Sequence, residues 1–154
     1  MPTLWTLGTS THSADEFMRI LKAYGVETAS DVRHFPGSRR FPHFTKEALR
    51  EFLELNGIHY LWLGETLGGY RKGGYEEHMK TDAFRQGIEE LCAAASKSRT
   101  AILCAEVLPW KCHRRFIAQA MEKRGWQVVH ILDEKRTWKP VRGLATGKQI
   151  EATL

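Results

Sequence analysis

A chain of 154 residues is the size of one domain and is long enough to bury a real core. Hydrophobic residues make up 42% and charged residues 27%, the balance of an ordinary soluble globular protein. No apolar run approaches the ~20 residues of a membrane span, and three cysteines (Cys92, Cys104 and Cys112) make no disulfide framework. Membrane-spanning and disulfide-scaffold classes are therefore excluded. With no charged-then-apolar leader at the N-terminus, a cytoplasmic protein is expected.

In chain order, Thr3 to Leu7 reads as a first strand ended by Gly8. A polar turn, Thr9 to Ser13, follows. Ser13 is placed to cap a helix, with Glu16 three residues on completing a capping box, and Phe17, Ile20, Leu21 and Tyr24 repeat at helical spacing up to Gly25. Val26 to Val32 predicts a second strand. The next segment, His34 to Phe44, holds two prolines and a glycine and predicts no regular structure. Thr45 caps a second helix with Ala48, Leu49, Phe52, Leu53 and Leu55 as its apolar positions, stopped at Asn56-Gly57. Ile58 to Leu63 is a third strand.

Gly64 to Gly74 carries five glycines and lacks the Gly-Lys-Ser/Thr ending of a phosphate-binding loop, which predicts a flexible flap. Tyr75 to Lys80 predicts a short helical turn, and Thr81 or Asp82 caps a longer helix through Phe84, Ile88, Leu91, Cys92 and Ala95. Thr100 to Cys104 is a fourth strand, Lys111 to Arg124 a helix ended by Gly125, and Trp126 to Leu132 a fifth strand. Residues 134–154 form a basic tail whose weak periodicity leaves it between partial order and disorder.

Strands alternating with helices predict one α/β domain over residues 1–133. It is a three-layer structure with a mostly parallel sheet of about five strands and helices on both faces. Ligands of such sheets sit outside the carboxyl ends of the strands. The polar residues that follow each strand, Gly8 to His12, Asp31 to His34, Gly64 onward, Cys104 to Glu106 and Asp133, should gather on that edge.

The net charge is +5 and the sequence pI about 9.2. From Val32 to Lys46 there are Arg33, Arg39, Arg40 and Lys46 and no acid, with Phe35, Phe41 and Phe44 interleaved. That mixture suits phosphates with bases stacked beside them, or equally a surface loop anchored by its phenylalanines. Asp31 and Arg33 alternate on a strand end and share a face. They offer an acid or base beside an anion clamp, or else a structural ion pair.

The richest stretch is Cys104 to Arg115. Placing Lys111, Cys112, His113 and Arg114 in the first turn of a helix would favour an anion there and lower the Cys112 pKa. His113, about 100° from Cys112 on such a helix, would not serve as its base. Cys104 and Cys112 are alternatively small buried hydrophobes. Neither fits the Cys-x5-Arg pattern of tyrosine phosphatases, since positions 110 and 118 are Trp and Ala. His12, His34, His43, Cys104, Glu106, Cys112 and His113 are competent metal ligands, but no tight ligand spacing is present, and neither a metal nor a cofactor is expected.

Taken together, Thr6-Leu7-Gly8-Thr9-Ser10, Asp31-Val32-Arg33 with Pro36 and Ser38, Pro42-x-Phe44, Leu63-Gly64-x-x-Leu67-Gly68-Gly69, Leu103-Cys104-Ala105-Glu106 and Cys112-His113-Arg114 resemble the bacterial and archaeal family called domain of unknown function 488. The resemblance covers nearly the whole chain up to about His130. It implies a single α/β domain with a polar cleft built from those motifs, and implies no activity. Members commonly carry Gly-His-Ser in the first motif; this chain has Gly8-Thr9-Ser10 and a histidine at His12 instead.

The leading expectation is a phosphate-recognising protein that binds or processes a nucleotide or nucleic acid at the carboxyl edge. Ser10, His12, Arg33, Ser38, Arg39, Arg40, His113 and Arg114 would hold the ligand, with Asp31, Glu106 and Cys112 as candidate catalytic residues. The alternatives are a cysteine-dependent transferase using Cys112 and a non-catalytic binding module.

Overall fold

The computed structural model describes residues 2–34, 41–69, 71–106, 108–109, 112–139 and 151–153. Its elements run β1 (Thr3–Gly8), α1 (Ala14–Ala23), β2 (Thr28–Asp31), a 3-10 turn (Pro42–Phe44), α2 (Lys46–Leu55), β3 (His59–Trp62), α3 (Gly64–Leu67), α4 (Tyr75–His78), α5 (Asp82–Lys97), β4 (Thr100–Cys104), α6 (Arg114–Lys123), β5 (Gln127–Ile131), β6 (Thr137–Lys139) and β7 (Glu151–Thr153). The sheet order is β3-β2-β4-β1-β5-β6-β7. Strands β1 to β5 pair with one another in parallel, whereas the β5–β6 and β6–β7 pairs at one edge are antiparallel.

Local chemistry sets the helix starts. The side chains of Ser13, Thr45 and Thr81 each accept a backbone N–H from the first turn of the helix they precede. Glu16 does not close the expected capping box, because its carboxylate takes the His12 ring instead, at 2.6 Å. The stops at Gly25 and Gly57 have positive φ, where a side chain would be strained.

Period-two alternation divides the core into two layers. Trp5, Leu7, Ala29, Ala101 and Leu103 face α1 and α2, where Phe17, Leu21, Leu49 and Leu53 meet them. Leu4, Ile102 and Cys104 face α5 and α6, against Ile88, Leu91, Ile117 and Met121. This is the predicted three-layer α/β arrangement. One position departs from the pattern: Leu55, expected on the apolar face of α2, is 79% exposed, because it lies in the last turn beyond the sheet-facing stripe.

The glycine-rich segment also differs from expectation. Its first part is a packed turn and no flap. A Cβ on Gly64 would come 2.1 Å from the Arg33 carbonyl oxygen, and one on Gly68 would come 2.6 Å from the His34 Cβ. Having no side chain, these glycines let α3 close onto the end of β2, an approach that any larger residue would block. Arg71 then donates to the carbonyls of Gly64, Glu65 and Gly68 and holds the turn shut.

His130 on β5 is buried and bonded through Nδ1 to the Thr6 hydroxyl at 2.7 Å. Burial, with the charge of Arg114 added, pushes its pKa from 6.5 down to about 3. Between those values the unfolded chain binds the proton and the folded one does not. Stability should therefore fall as pH drops from 6.5 towards 3, by about 1.4 kcal/mol per pH unit for this group. Urea midpoints followed across that range should fall less steeply in His130→Gln. Equal slopes in the two proteins would show that His130 is protonated in the fold.

Candidate functional site

The parallel strands β1, β2 and β4 end side by side, and three local constructions lie beyond them. The first follows β1. Thr9 N–H donates to the Cys104 carbonyl at 2.6 Å and Ser10 N–H to the Ala105 carbonyl at 2.9 Å, carrying the ladder past the strand ends. Ser10 then turns the chain with φ 45°, the left-handed region. His12 lies in the turn with Nδ1 on Glu16 and its backbone carbonyl taken by His43 Nε2 at 2.9 Å. Its Nε2 is buried without a hydrogen-bond partner among the described residues.

The second construction is an ion pair after β2. Arg33 donates from Nε and Nη2 to the two oxygens of Asp31, both at 2.8 Å, and its backbone N–H adds a third bond at 3.1 Å. Tyr60 on β3 donates its hydroxyl to Asp31 Oδ2 at 2.5 Å. Arg33 Nη1 reaches the carbonyl of Phe44 at 2.6 Å. Asp31 is fully buried and Arg33 nearly so. Burial alone would lower the Arg33 pKa, but the bonds and charge of Asp31 outweigh it and raise the pKa. Burial, then the Asp31 charge, pushes the Tyr60 phenol up, which keeps its proton available to donate. Asp31 and Arg33 therefore fasten β2, β3 and the Phe44 turn together.

The third construction surrounds Cys112. The helix expected from Lys111 starts at Arg114, with His113 in the capping position. Single-turn bonds from Cys112 N–H to the Pro109 carbonyl and from Arg115 N–H to the Cys112 carbonyl precede it. Cys112 and His113 therefore stand outside the helix, and their side chains are free of its 100° spacing. His113 Nδ1 comes 3.7 Å from Cys112 Sγ, which corrects the expectation that it could not reach its neighbour. His113 Nε2 donates to the Val32 carbonyl at 3.0 Å, leaving Nδ1 as the acceptor. Burial, above all, lowers the His113 pKa and favours this neutral ring. Gly69 lies against the ring, and Tyr75 stands 5.2 Å from it between centroids.

Cys112 Sγ also accepts the Arg114 backbone N–H at 3.4 Å and lies 3.0 Å from Cys104 Sγ. Burial raises the Cys104 pKa, but the bond from Cys112 and the charge of Arg114 bring it down to about 7. The bond to Cys104, followed by burial, pushes Cys112 up. Two such thiols titrate as a pair: one proton leaves near neutrality and the second is retained.

The residue pattern points to one family, and the family's own sequence profile decides it. The sequence profile of Domain of unknown function DUF488 matches residues 13–121. The chain belongs to the DUF488 family. No curated protein and no solved structure matches it.

Within this DUF488 domain, Ser10, His12, Asp31, Arg33, Cys112, His113 and Arg114 all come to the carboxyl edge or directly beneath it. Glu106 follows β4 and is exposed, and Arg114 is fully buried. Ser38, Arg39 and Arg40 lie outside the described residues. Sequence reasoning misses Tyr60 and undervalues Cys104. Tyr60 offers only an aromatic in an apolar run, and its partner Asp31 lies on another strand. Among the described residues no group of three or more His, Cys, Asp or Glu side chains could hold a metal ion.

Asp31→Asn would leave the Arg33 guanidinium buried without its counter-charge, and should lower unfolding stability by about 3–5 kcal/mol. Tyr60→Phe removes a single donor and should cost about 1–3 kcal/mol. Denaturant titration of both variants checks the order; a larger loss for Tyr60→Phe would contradict the ion pair as the principal tie.

Proposed function

We propose that this DUF488 domain is a cysteine-dependent transferase with Cys112 as its nucleophile. The observation that carries the reading is the setting of Cys112 Sγ, which has a thiol at 3.0 Å, an imidazole nitrogen at 3.7 Å and a helix-start N–H at 3.4 Å. His113 Nδ1 is an acceptor for the Cys112 proton, and Cys104 with Arg114 stabilises the negative charge of the pair. Of the two cysteines, Cys112 is the more exposed residue, at 7% against 1%. A thiolate at this place would attack an acyl carbon or a sulfane sulfur, release the leaving group and pass the held group to a second nucleophile.

A second reading, phosphate recognition of a nucleotide or nucleic acid, is favoured by how the basic segment is tethered. Its described ends are fastened to this edge, by Arg33 to the Phe44 carbonyl and by His43 to the His12 carbonyl. The chain between them carries Arg39 and Arg40. In this reading Arg33 anchors the segment, while Ser10, His12, Arg39 and Arg40 are left to meet phosphate. The two readings combine if the transferred group sits on an anionic carrier.

Alkylation by iodoacetamide, mapped by residue and repeated with nucleotides and oligonucleotides, tests both. The first ionisation belongs to the thiol pair, and alkylation read at Cys112 should follow it with a midpoint well below the ~8.5 of a free thiol. An anionic ligand should protect it at low salt, with a salt slope that falls by about 2 in the Arg39→Ala, Arg40→Ala double variant. A Cys112 midpoint near ~8.5 would remove the transferase reading. Absence of any binding or protection at low salt would remove the phosphate reading.

A further inference from the structure

Cys104 and Cys112 are separated by eight positions in the chain and by 3.0 Å between sulfurs. Different elements fix the two. Cys104 ends β4, where its carbonyl accepts the Thr9 N–H. Cys112 sits in the turn before α6, with its sulfur on the Arg114 N–H. The side chains face each other across the loop that joins these elements. A disulfide needs an S–S separation of ~2.05 Å, so closing the pair takes about 1 Å of movement. The third thiol, Cys92, is on α5 with its sulfur 3.5 Å from Met121 Sδ and has no cysteine partner among the described residues.

Accessibility selects the oxidant. At 1% and 7% exposure, the pair is closed to a bulky disulfide and open to a molecule the size of water. The buried charge of Arg114 opposes the effect of burial at both sulfurs; with the bond from Cys112 it brings the Cys104 thiol down, while the bond to Cys104 and burial hold the proton on Cys112.

We propose that Cys104 and Cys112 form a redox-active dithiol that reduces hydrogen peroxide and closes to an intramolecular disulfide. The inference rests on the same thiol pair as the transferase reading, but on none of its transfer chemistry. In the first step Cys112 passes its proton to the Cys104 thiolate across their 3.0 Å contact and attacks one peroxide oxygen as a thiolate. An S–O bond forms, the O–O bond breaks, and the departing hydroxide takes a proton and leaves as water. In the second step Cys104 sulfur attacks the Cys112 sulfenic acid. The S–S bond forms, the S–O bond breaks, and the hydroxyl leaves with the Cys104 proton as a second water. Two thiols and one peroxide become one disulfide and two waters, with two electrons passed from sulfur to oxygen. The disulfide removes the Cys112 nucleophile, so oxidation would also switch off thiol-dependent transfer.

The test uses the intact wild-type protein. It is treated with hydrogen peroxide, blocked with iodoacetamide under denaturing conditions and digested with trypsin, which cuts after Lys111 and so separates Cys104 from Cys112. The expected result is a linked pair of peptides, 100–111 with 112–114, two hydrogens lighter than their sum. It should form roughly ten-fold faster than Cys92 is consumed. Under the same treatment Cys104→Ser should stop at a Cys112 sulfenic acid that dimedone captures. If both cysteines remain alkylatable at a peroxide dose that consumes Cys92, the dithiol proposal is overturned. Normal low-midpoint alkylation of Cys112 without a disulfide would overturn this inference alone. A disulfide with Cys112 inert to iodoacetamide would overturn the transferase reading alone.

Discussion

The carboxyl edge of this sheet depends on one buried ion pair. A carboxylate with no solvent contact needs its charge and lone pairs met from within the protein. Asp31 receives donors from Arg33, from the Arg33 backbone and from Tyr60. The guanidinium also donates from Nη1 to the Phe44 carbonyl. Strands β2 and β3 and the turn before α2 are thus joined at one point. Such a pair is a weak source of net stability, because desolvation offsets most of the attraction. Its effect is geometric: it fixes where the segments on either side of residues 35–40 start and finish.

The neighbouring constructions are built outward from that point. Val32, between the paired residues, offers its carbonyl to His113 Nε2, which turns the other ring nitrogen towards Cys112. The Arg33 carbonyl accepts from the Trp62 indole, and α3 closes against the same carbonyl where Gly64 leaves room. The backbone of Asp31 to Arg33 thereby positions the thiol site on the opposite face of the sheet from the Asp31 carboxylate. Arg114, buried under the same edge, supplies the positive charge that offsets an anionic sulfur pair.

Much of the fold is readable from residues alone because its signals are local. Ser13, Thr45 and Thr81 mark helix starts, Gly25 and Gly57 mark stops, and apolar periodicity fills the intervals. Strands β6 and β7 carry no such signal, being three residues each, with Trp138 flanked by Thr137 and Lys139. At the site, Asp31 and Arg33 are visible as a pair because both lie on one short stretch. Tyr60 is not, since its contact depends on the register of β3 against β2. The thiol pair is hidden for a related reason. Periodicity extends α6 back to Lys111, whereas the chain makes single turns from Pro109 and enters the helix only at Arg114. Those few residues decide whether Cys112 points along a helix or towards Cys104.

Amide hydrogen exchange in wild type and Asp31→Asn addresses the organising role of the ion pair most directly. If the pair holds the edge together, protection should fall jointly at Val32, Arg33, Leu63 and Phe44. All four amides are hydrogen-bonded around this point. Val128 and Val129 on β5 should keep a slower exchange and serve as the reference. Loss confined to the Arg33 amide, with Leu63 and Phe44 unchanged, would contradict the account.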